Sequence, residues 1–144
     1  MTDLSAHPVI RKYHEWNHFG VLLGMDFTIP VKGSVVYTMK ITEKHLATPI
    51  AAHGGSVAAL MDATLGVACL SQVCEEGRIV STVSFSIQYL APARLNDVLT
   101  ATAQVVKSGK RLQFVEGKIV NQHGELVAMA NGTMNAYPLE KVAM

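Results

Sequence analysis

The sequence predicts an α+β protein in which one curled antiparallel sheet wraps around a long central helix. Two observations support this: a nearly uncharged apolar segment of helical length spans about residues 54–73, and four segments with strand character follow it. A helix that is apolar nearly all round is expected to be buried on every side. In a chain of 144 residues the strands must enclose it. We expect a single domain over residues 1–144.

The N-terminal part of the chain predicts a short helix followed by a hairpin. The helix is expected over residues 8–19, where large apolar residues recur at helical spacing: Val9, Tyr13 and Trp16. It would cover an edge or an entrance of the sheet. Two strands are predicted at residues 25–31 and 35–42, joined by a turn that contains glycine. Pro30 places the first of them near a sheet edge.

The long helix is predicted to begin near Gly54 and to end near Val73, before an acidic pair and a glycine. Residues 55–74 approach the length of a bilayer span and carry one charge, Asp62. We interpret them as a core helix. A carboxylate near the centre is costly in lipid, and alanines and glycines outnumber large apolar side chains there.

Four strands are predicted after the helix. Residues 82–89 alternate strictly, with Val83, Phe85, Ile87 and Tyr89 on an apolar face and polar side chains between them. The other three are expected at about residues 98–107, 111–121 and 125–137. Glycine-containing turns separate them, which suits antiparallel hairpins.

Composition excludes several classes of protein. Twelve basic and eleven acidic residues give a net charge of +1, which indicates neither a nucleic-acid partner nor attraction to an anionic membrane. Cys69 and Cys74 lie in an apolar segment and are expected to be reduced core or interface residues. With no signal-peptide pattern at the start, a cytoplasmic protein is expected. The histidines lack metal-ligand spacing, so no metal is predicted.

Asp62 is the leading candidate for a catalytic residue, because it is the only charged residue between His53 and Cys74. An ionisable group in an apolar helix must be compensated, exposed at a site or protonated. The alternative is a structural aspartate bonded to a neighbouring backbone group or serine. From the residues alone, both interpretations stay open.

The segment His53-Gly54-Gly55 supplies a second candidate. Backbone N–H groups are unpaired in the first turn of a helix, and glycine allows a carbonyl group to approach them. These are the parts of an oxyanion hole. The alternative, which is commoner for an isolated His-Gly-Gly, is a glycine-rich helix start with a surface histidine. Asp62 lies eight residues after Gly54, about 12 Å along a helix axis. If both act on one carbonyl, the aspartate must come from a second subunit.

Three segments together resemble a known family. HGGSVAALMDATLGVA at residues 53–68, STVSFSIQYLAPAR at 81–94 and SGKR at 108–111 are similar to the hotdog-fold thioesterase superfamily, in particular its phenylacetic-acid-degradation (PaaI-type) branch. The resemblance covers roughly residues 20–137. Its most specific parts are the HGG triplet, the aspartate nine residues after the histidine, and the later Tyr-x-x-Pro-Ala.

The resemblance implies a role for each matching residue. The Gly54 N–H would bind a thioester carbonyl, and Asp62 of the opposite subunit would be the nucleophile or the general base. Thr82 would hold the water or orient the aspartate, and His53 would lie near the carbonyl. Gly55 would let the substrate approach. Many relatives have an asparagine where this chain has Ala47, and His45 or Thr48 are possible substitutes.

The resemblance also implies a substrate and an assembly. We expect an acyl-CoA thioesterase that forms homodimers, with coenzyme A as part of the substrate and no separate cofactor. Tetramers are common in the family, and the choice between dimer and tetramer stays open. Phosphates of the nucleotide need positive charge, for which the candidates are Arg94, Lys110 and Arg111. Solvated turn charges are the ordinary alternative for these three.

Other activities on this fold are less consistent with the sequence. A non-catalytic acyl-CoA-binding module is the main alternative. The hydratase branch has no motif here, and about 20 residues before the fold are too few for a helix-turn-helix unit. The acyl group is left open.

Overall fold

In the computed structural model, which describes residues 3–142, the N-terminal segment forms two helices. Helix α1 is Pro8–Trp16 and helix α2 is His18–Leu23, so the helix predicted over residues 8–19 is present but ends at Trp16, and a second helix follows it. Asn17 separates them: its side-chain Oδ1 accepts from Gly20 N–H at 3.0 Å and caps α2. The ends of the predicted domain, residues 1–2 and 143–144, lie outside the described residues.

Six strands form one antiparallel sheet in the order β1-β2-β4-β5-β6-β3. Their bounds are Met25–Thr28 (β1), Ser34–Lys40 (β2), Arg78–Tyr89 (β3), Val98–Ser108 (β4), Leu112–Val120 (β5) and Leu126–Pro138 (β6). The predicted hairpin and the four later strands are all present. β1 is an edge strand that ends two residues before Pro30, as a proline near an edge predicts.

The long helix α3 is Gly54–Val73, as predicted, and the sheet curls around it. Its C-terminal part, residues 67–73, is almost wholly buried. The expectation of burial on every side is wrong for the N-terminal part. There one face is exposed or half-buried, and we call it the open face of α3: Gly55, Ala59, Asp62, Ala63 and Gly66. These positions follow helical spacing, so they form one continuous stripe.

The apolar composition of α3 fits a core helix. By length and hydropathy the helical stretch Gly54–Glu76 is capable of crossing a membrane, but 67% of its most hydropathic window is buried inside the protein. Cys69 and Cys74 are both buried and free, as predicted from their spacing.

A bulge in β3 changes which of its side chains face the helix. Thr82 pairs with Met134 and Ser84 pairs with Thr133, so Val83 is the extra residue. Val83 is 59% exposed, which contradicts its predicted place on the apolar face. The bulge shifts the alternation by one residue. Thr82, predicted on the polar face, therefore lies on the side of the sheet that faces α3.

Candidate active site

The HGG turn is held by hydrogen bonds that leave one amide free. His53 caps α3, with Nδ1 accepting from Gly55 N–H at 2.7 Å, and its own N–H donates to the His45 carbonyl at 2.7 Å. A Cβ on Gly55 would lie 2.9 Å from that Nδ1, so glycine is needed there. Among the described residues, no acceptor lies within hydrogen-bond distance of Gly54 N–H.

Two donors at this helix end are available to a ligand. Because Nδ1 of His53 accepts a hydrogen bond, the neutral ring carries its hydrogen on Nε2, and the residue is exposed. Gly54 N–H lies at the positive end of the α3 dipole. Both groups suit an oxygen atom on which negative charge develops.

Tyr89 is a site residue that the sequence analysis did not predict. The only sequence signal for it is its place in the Tyr-x-x-Pro-Ala motif. Its Oη donates to the Gly54 carbonyl at 2.9 Å and thereby joins the end of β3 to the start of α3. The two residues line a cavity of about 300 Å³, together with Ala52, Val57, Leu90, Ala91, Pro92 and Ala93. The YxxPA segment therefore forms a wall beside the HGG turn.

Asp62 is held from β3. The Thr82 hydroxyl donates to Asp62 Oδ1 at 2.6 Å, the short distance typical of a charge-assisted bond. Asp62 is half-buried on the open face of α3. Thr82 is its one hydrogen-bond partner in the described part of the chain, so Oδ2 is available to another group. The partner of Asp62 is thus a threonine hydroxyl on another element, where the structural interpretation named a neighbouring backbone group or serine.

Tyr13 lies near the same carboxylate and contacts a second tyrosine. Tyr13 of α1 and Tyr37 of β2 have their hydroxyl oxygens 3.4 Å apart, and Tyr37 is fully buried. Burial raises the pKa of Tyr13, and the negative charge of Asp62 raises it further. Burial likewise raises the pKa of Tyr37. Both phenols therefore stay protonated at neutral pH.

Within one chain, the two candidate groups contact different parts of β3. Gly54 bonds to Tyr89 at its C-terminal end, and Asp62 bonds to Thr82, seven residues earlier. In the described contacts, the Asp62 carboxylate of one protomer does not contact the Gly54 N–H of the same protomer.

The three cationic candidates divide between opposite ends of the sheet. Arg94 is exposed beside the HGG turn, where its backbone bridges to Ala51. Lys110 and Arg111 are exposed in the β4–β5 turn, and their carbonyls accept from Arg78 at 2.6 Å and from Ala136 at 2.7 Å. One protomer therefore does not bring all three together.

The two residues considered as substitutes for the family asparagine are held differently. His45 Nε2 lies 2.7 Å from the Leu23 carbonyl, on the side of α2. Thr48 Oγ1 accepts from Ala51 N–H at 3.0 Å inside its own turn. The His45 ring is thus engaged elsewhere, whereas the Thr48 hydroxyl keeps its hydrogen for a further bond. In residues 3–142, no group of three or more His, Cys, Asp or Glu side chains could hold a metal ion.

Comparison with known proteins identifies the family. The model of the family described as "Thioesterase superfamily" matches residues 51–128. Acyl-coenzyme A thioesterase PaaI of Escherichia coli is 36% identical over 110 residues, which are 76% of this chain and 76% of that protein. Human acyl-coenzyme A thioesterase 13 is 31% identical over 132 residues, covering 90% of this chain and 92% of the relative.

Solved structures agree. The structure of the Escherichia coli PaaI protein matches with a TM-score of 0.81 at 31% identity, over 88% of this chain and 89% of that one. A thioesterase protein from Streptococcus pneumoniae, crystallised with coenzyme A, matches with a TM-score of 0.78 at 27% identity, over 88% and 97%. The predicted hotdog fold is confirmed, and the chain belongs to the thioesterase superfamily, in the branch that contains PaaI.

Proposed function

We propose that this enzyme hydrolyses acyl-CoA thioesters to a free acid and coenzyme A. The observation that carries the proposal is Asp62, the half-buried carboxylate on the open face of α3 that Thr82 holds by one oxygen. The names of the PaaI and human relatives and the coenzyme A bound to the Streptococcus pneumoniae protein support the substrate class.

In the proposed reaction, the thioester carbonyl oxygen accepts from Gly54 N–H at the positive end of α3, with His53 beside it. Asp62 either attacks the carbonyl carbon directly or removes a proton from an attacking water. The C–S bond then breaks, and the thiolate of coenzyme A leaves and is protonated. Single turnover in oxygen-18 water distinguishes the routes, because only direct attack leaves the label in the Asp62 carboxylate after hydrolysis.

The proposed site is shared between two subunits. β3 is twelve residues long, and only one of its edges pairs, with β6. A long edge strand without protection is a ready template for a second strand. Small residues on the adjoining open face of α3 allow a second helix to come close. We therefore propose a two-fold dimer in which two copies of β3 pair antiparallel.

The register of that pairing follows from the sheet faces. Side chains that are directly opposite in a sheet must lie on the same face. A two-fold axis at Ser86 satisfies this rule and places Phe85 opposite the partner's Ile87. Because the bulge adds Val83, Thr82 then comes opposite the partner's Tyr89. This places each Asp62 near the HGG turn of the other subunit.

Cysteine cross-linking tests the register. Ser86→Cys should form an intersubunit disulfide on mild oxidation, because opposite Cα atoms lie about 4.5 to 5.5 Å apart. Ser84→Cys is the matched control on the same face; its two copies would be about 13 Å apart along the strands and should not cross-link. Cross-linking at position 84 without cross-linking at 86 would contradict the register.

The same pairing would gather the cationic residues. In an antiparallel pair, the β4–β5 turn of one subunit lies at the same end as the HGG turn of the other. Lys110 and Arg111 would then approach the partner's Arg94, where together they suit the phosphates of coenzyme A. Replacing Arg94 with Gln should raise KM for acyl-CoA far more than it lowers kcat.

We propose that dimers pair further through the outer face of the sheet. Glu116 and Lys118 lie two residues apart on that face of β5. A two-fold axis between them would place the Glu116 of each dimer beside a Lys118 of the other dimer. They line a cavity of about 630 Å³. Glu116→Lys should reduce a tetramer to dimers in light scattering, because like charges would then meet.

Mixing two inactive variants is the decisive experiment for the shared site. Asp62→Asn removes the carboxylate charge. Gly54→Pro removes the N–H yet suits the first position of a helix, after the extended His53. Gly54→Ala keeps the N–H and is the matched control; its Cβ would meet Tyr89 at an ordinary 3.5 Å.

Each variant alone should be inactive, and Gly54→Ala should retain activity. Co-folded Asp62→Asn and Gly54→Pro chains should recover about a quarter of wild-type activity, because half of the random dimers have one intact site. No recovery, with mixed dimers demonstrated, would place the site within one subunit. An inactive wild-type protein on a panel of acyl-CoAs that it binds would support the non-catalytic acyl-CoA-binding module instead.

The remaining expectations fit this proposal. Coenzyme A enters as part of the substrate, so no separate cofactor is required, and nucleic acid and membrane have no proposed part. The two free, buried cysteines favour a reducing compartment, and we propose the cytoplasm.

A further inference from the structure

His45 is buried, yet it has no part in the reaction proposed above. It ends the short helical turn Glu43–His45 before the HGG segment and is 1% exposed. Between Thr42 and Ser56, a stretch described in full, it is the only buried residue. Leu46 and Ala52 pack against the core only in part, so His45 is the one fully buried side chain that holds the segment leading into the HGG turn.

Both ring nitrogens of His45 are used. Nδ1 lies 2.9 Å from Thr42 N, which is a donor, so Nδ1 accepts. Nε2 lies 2.7 Å from the Leu23 carbonyl, which can only accept, so Nε2 carries the hydrogen. The ring is thus neutral with a fixed tautomer. It connects the end of α2 to the turn before the HGG segment.

The backbone of the same residue holds the start of α3. The His45 carbonyl accepts from His53 N–H at 2.7 Å and from Ser56 Oγ at 3.2 Å. Gly54, whose N–H has no described partner, lies between these two attachment points in the chain. The His45 carbonyl is therefore bonded to residues on both sides of Gly54.

We propose that His45 is a positioning residue that fixes the oxyanion turn and couples it to α2. Its imidazole anchors the turn on one side, and its carbonyl orients His53 and Gly54 on the other. The catalytic part of this inference rests on the proposed function, whereas the structural part does not. A displacement of about 1 Å at a catalytic group costs about a hundredfold in rate. Loss of the anchor should therefore lower kcat with little change in KM.

Three substitutions separate the two imidazole contacts. His45→Asn places an amide oxygen near the Nδ1 position and keeps the acceptor for Thr42. His45→Gln reaches the Leu23 carbonyl with its amide nitrogen and keeps the other contact. His45→Ala keeps neither. Asn121→Ala is the control, because Asn121 is also buried and holds a turn, by accepting from His123 and Glu125, away from the HGG segment.

We expect kcat to fall about a hundredfold in His45→Ala, with KM within about threefold, and to be largely restored in His45→Gln, which keeps the bond to α2, but not in His45→Asn, which loses it. Asn121→Ala should lose stability with unchanged kcat. Unchanged kcat in His45→Ala would overturn the proposal. So would equal losses in all three variants, which would indicate a general loss of stability.

Hydrogen exchange gives a readout that does not depend on turnover. In His45→Ala the amide of His53 should exchange at least about tenfold faster than in the wild-type protein, whereas amides in β5 should not change. If the wild-type protein hydrolyses no thioester but this exchange pattern appears, the proposed function fails and the positioning role of His45 stands. Unchanged exchange at His53 would overturn that role whatever the activity.

Discussion

The two halves of α3 are built from similar small and apolar residues but have different surroundings. From Val67 to Val73 nearly every side chain is buried within the curl of the sheet. From Gly54 to Gly66 one face is open beside the unpaired edge of β3. The difference lies in the sheet, which curls around the helix but does not close.

Polar side chains on the covered and open faces of α3 differ accordingly. Thr64 and Ser71 are fully buried, and each donates to a carbonyl of the helix itself, at 2.6 Å and 2.7 Å. Asp62 has no such bond and reaches Thr82 on another element instead. A buried polar group that bonds to a carbonyl of its own helix stabilises the fold. A polar group on the open face that is bonded by another element is available for chemistry.

The largest effect should follow from Asp62→Asn. The amide keeps the volume and a bond to Thr82 but loses the charge, so it is neither nucleophile nor base. We expect kcat to fall by about 10³-fold or more, measured with acyl-CoA and a thiol reagent, while the melting temperature stays within a few degrees.

Thr64→Val is the matched control on the same helix. It removes a hydroxyl that only the Leu60 carbonyl accepts, so activity per folded molecule should be unchanged. If Asp62→Asn failed to fold while Thr64→Val folded, Asp62 would belong with the structural residues and the contrast between the halves would fail.

Cys69, in the covered half, should be chemically inert. Burial raises the pKa of its thiol from 9.0 to about 12, and the residue is fully buried. At pH 8 the thiolate should be about 10³-fold rarer than in the unfolded chain. Iodoacetamide should therefore modify Cys69 only as the protein unfolds.

The same shift predicts how stability depends on pH. Because the pKa of the thiol is higher in the folded state than in the unfolded state, the protonated thiol stabilises the folded protein. This stabilisation is complete below the pKa of the unfolded state and is lost as the pH rises through the pKa of the folded state. The free energy of unfolding should thus fall between about pH 9 and pH 12, and Cys69→Ser should reduce that dependence. Rapid labelling of Cys69 in the native protein would show that the C-terminal half also opens.

The features of α3 and its surroundings differ in how far the sequence predicts them. Helical length and the lone charge predict α3 and Asp62, since hydrophobicity and turn residues are local signals. Composition does not predict the open face. An exposed stripe of alanine and glycine on a helix is as apolar in sequence as a stripe that is buried. The bulge at Val83 is also invisible to a strict alternation, and it decides that Thr82 faces Asp62. Capping by Asn17, which divides the N-terminal helix, depends on a single side-chain contact.

Leu70→Ala tests the covered half by its effect on stability. Leu70 is 1% exposed, so its removal should leave a cavity that the surrounding sheet cannot fill. We expect the free energy of unfolding to fall by about 3 kcal/mol, measured by urea denaturation. The kcat of the folded fraction should be unchanged. A fall in kcat at a temperature well below the melting transition would show that the halves are coupled.

The smallest effect should come from Thr82, which acts on the substrate only through Asp62. Thr82→Val keeps the shape of the side chain but removes the hydroxyl that donates to Asp62 Oδ1. The carboxylate keeps its charge and loses one restraint on its orientation, so we expect kcat to fall about tenfold, the size of one charge-assisted hydrogen bond. Thr82→Ser keeps the donor and should retain most of the rate. Wild-type kcat in Thr82→Val would mean that the open face positions Asp62 without help from β3, and that the partner subunit supplies the restraint.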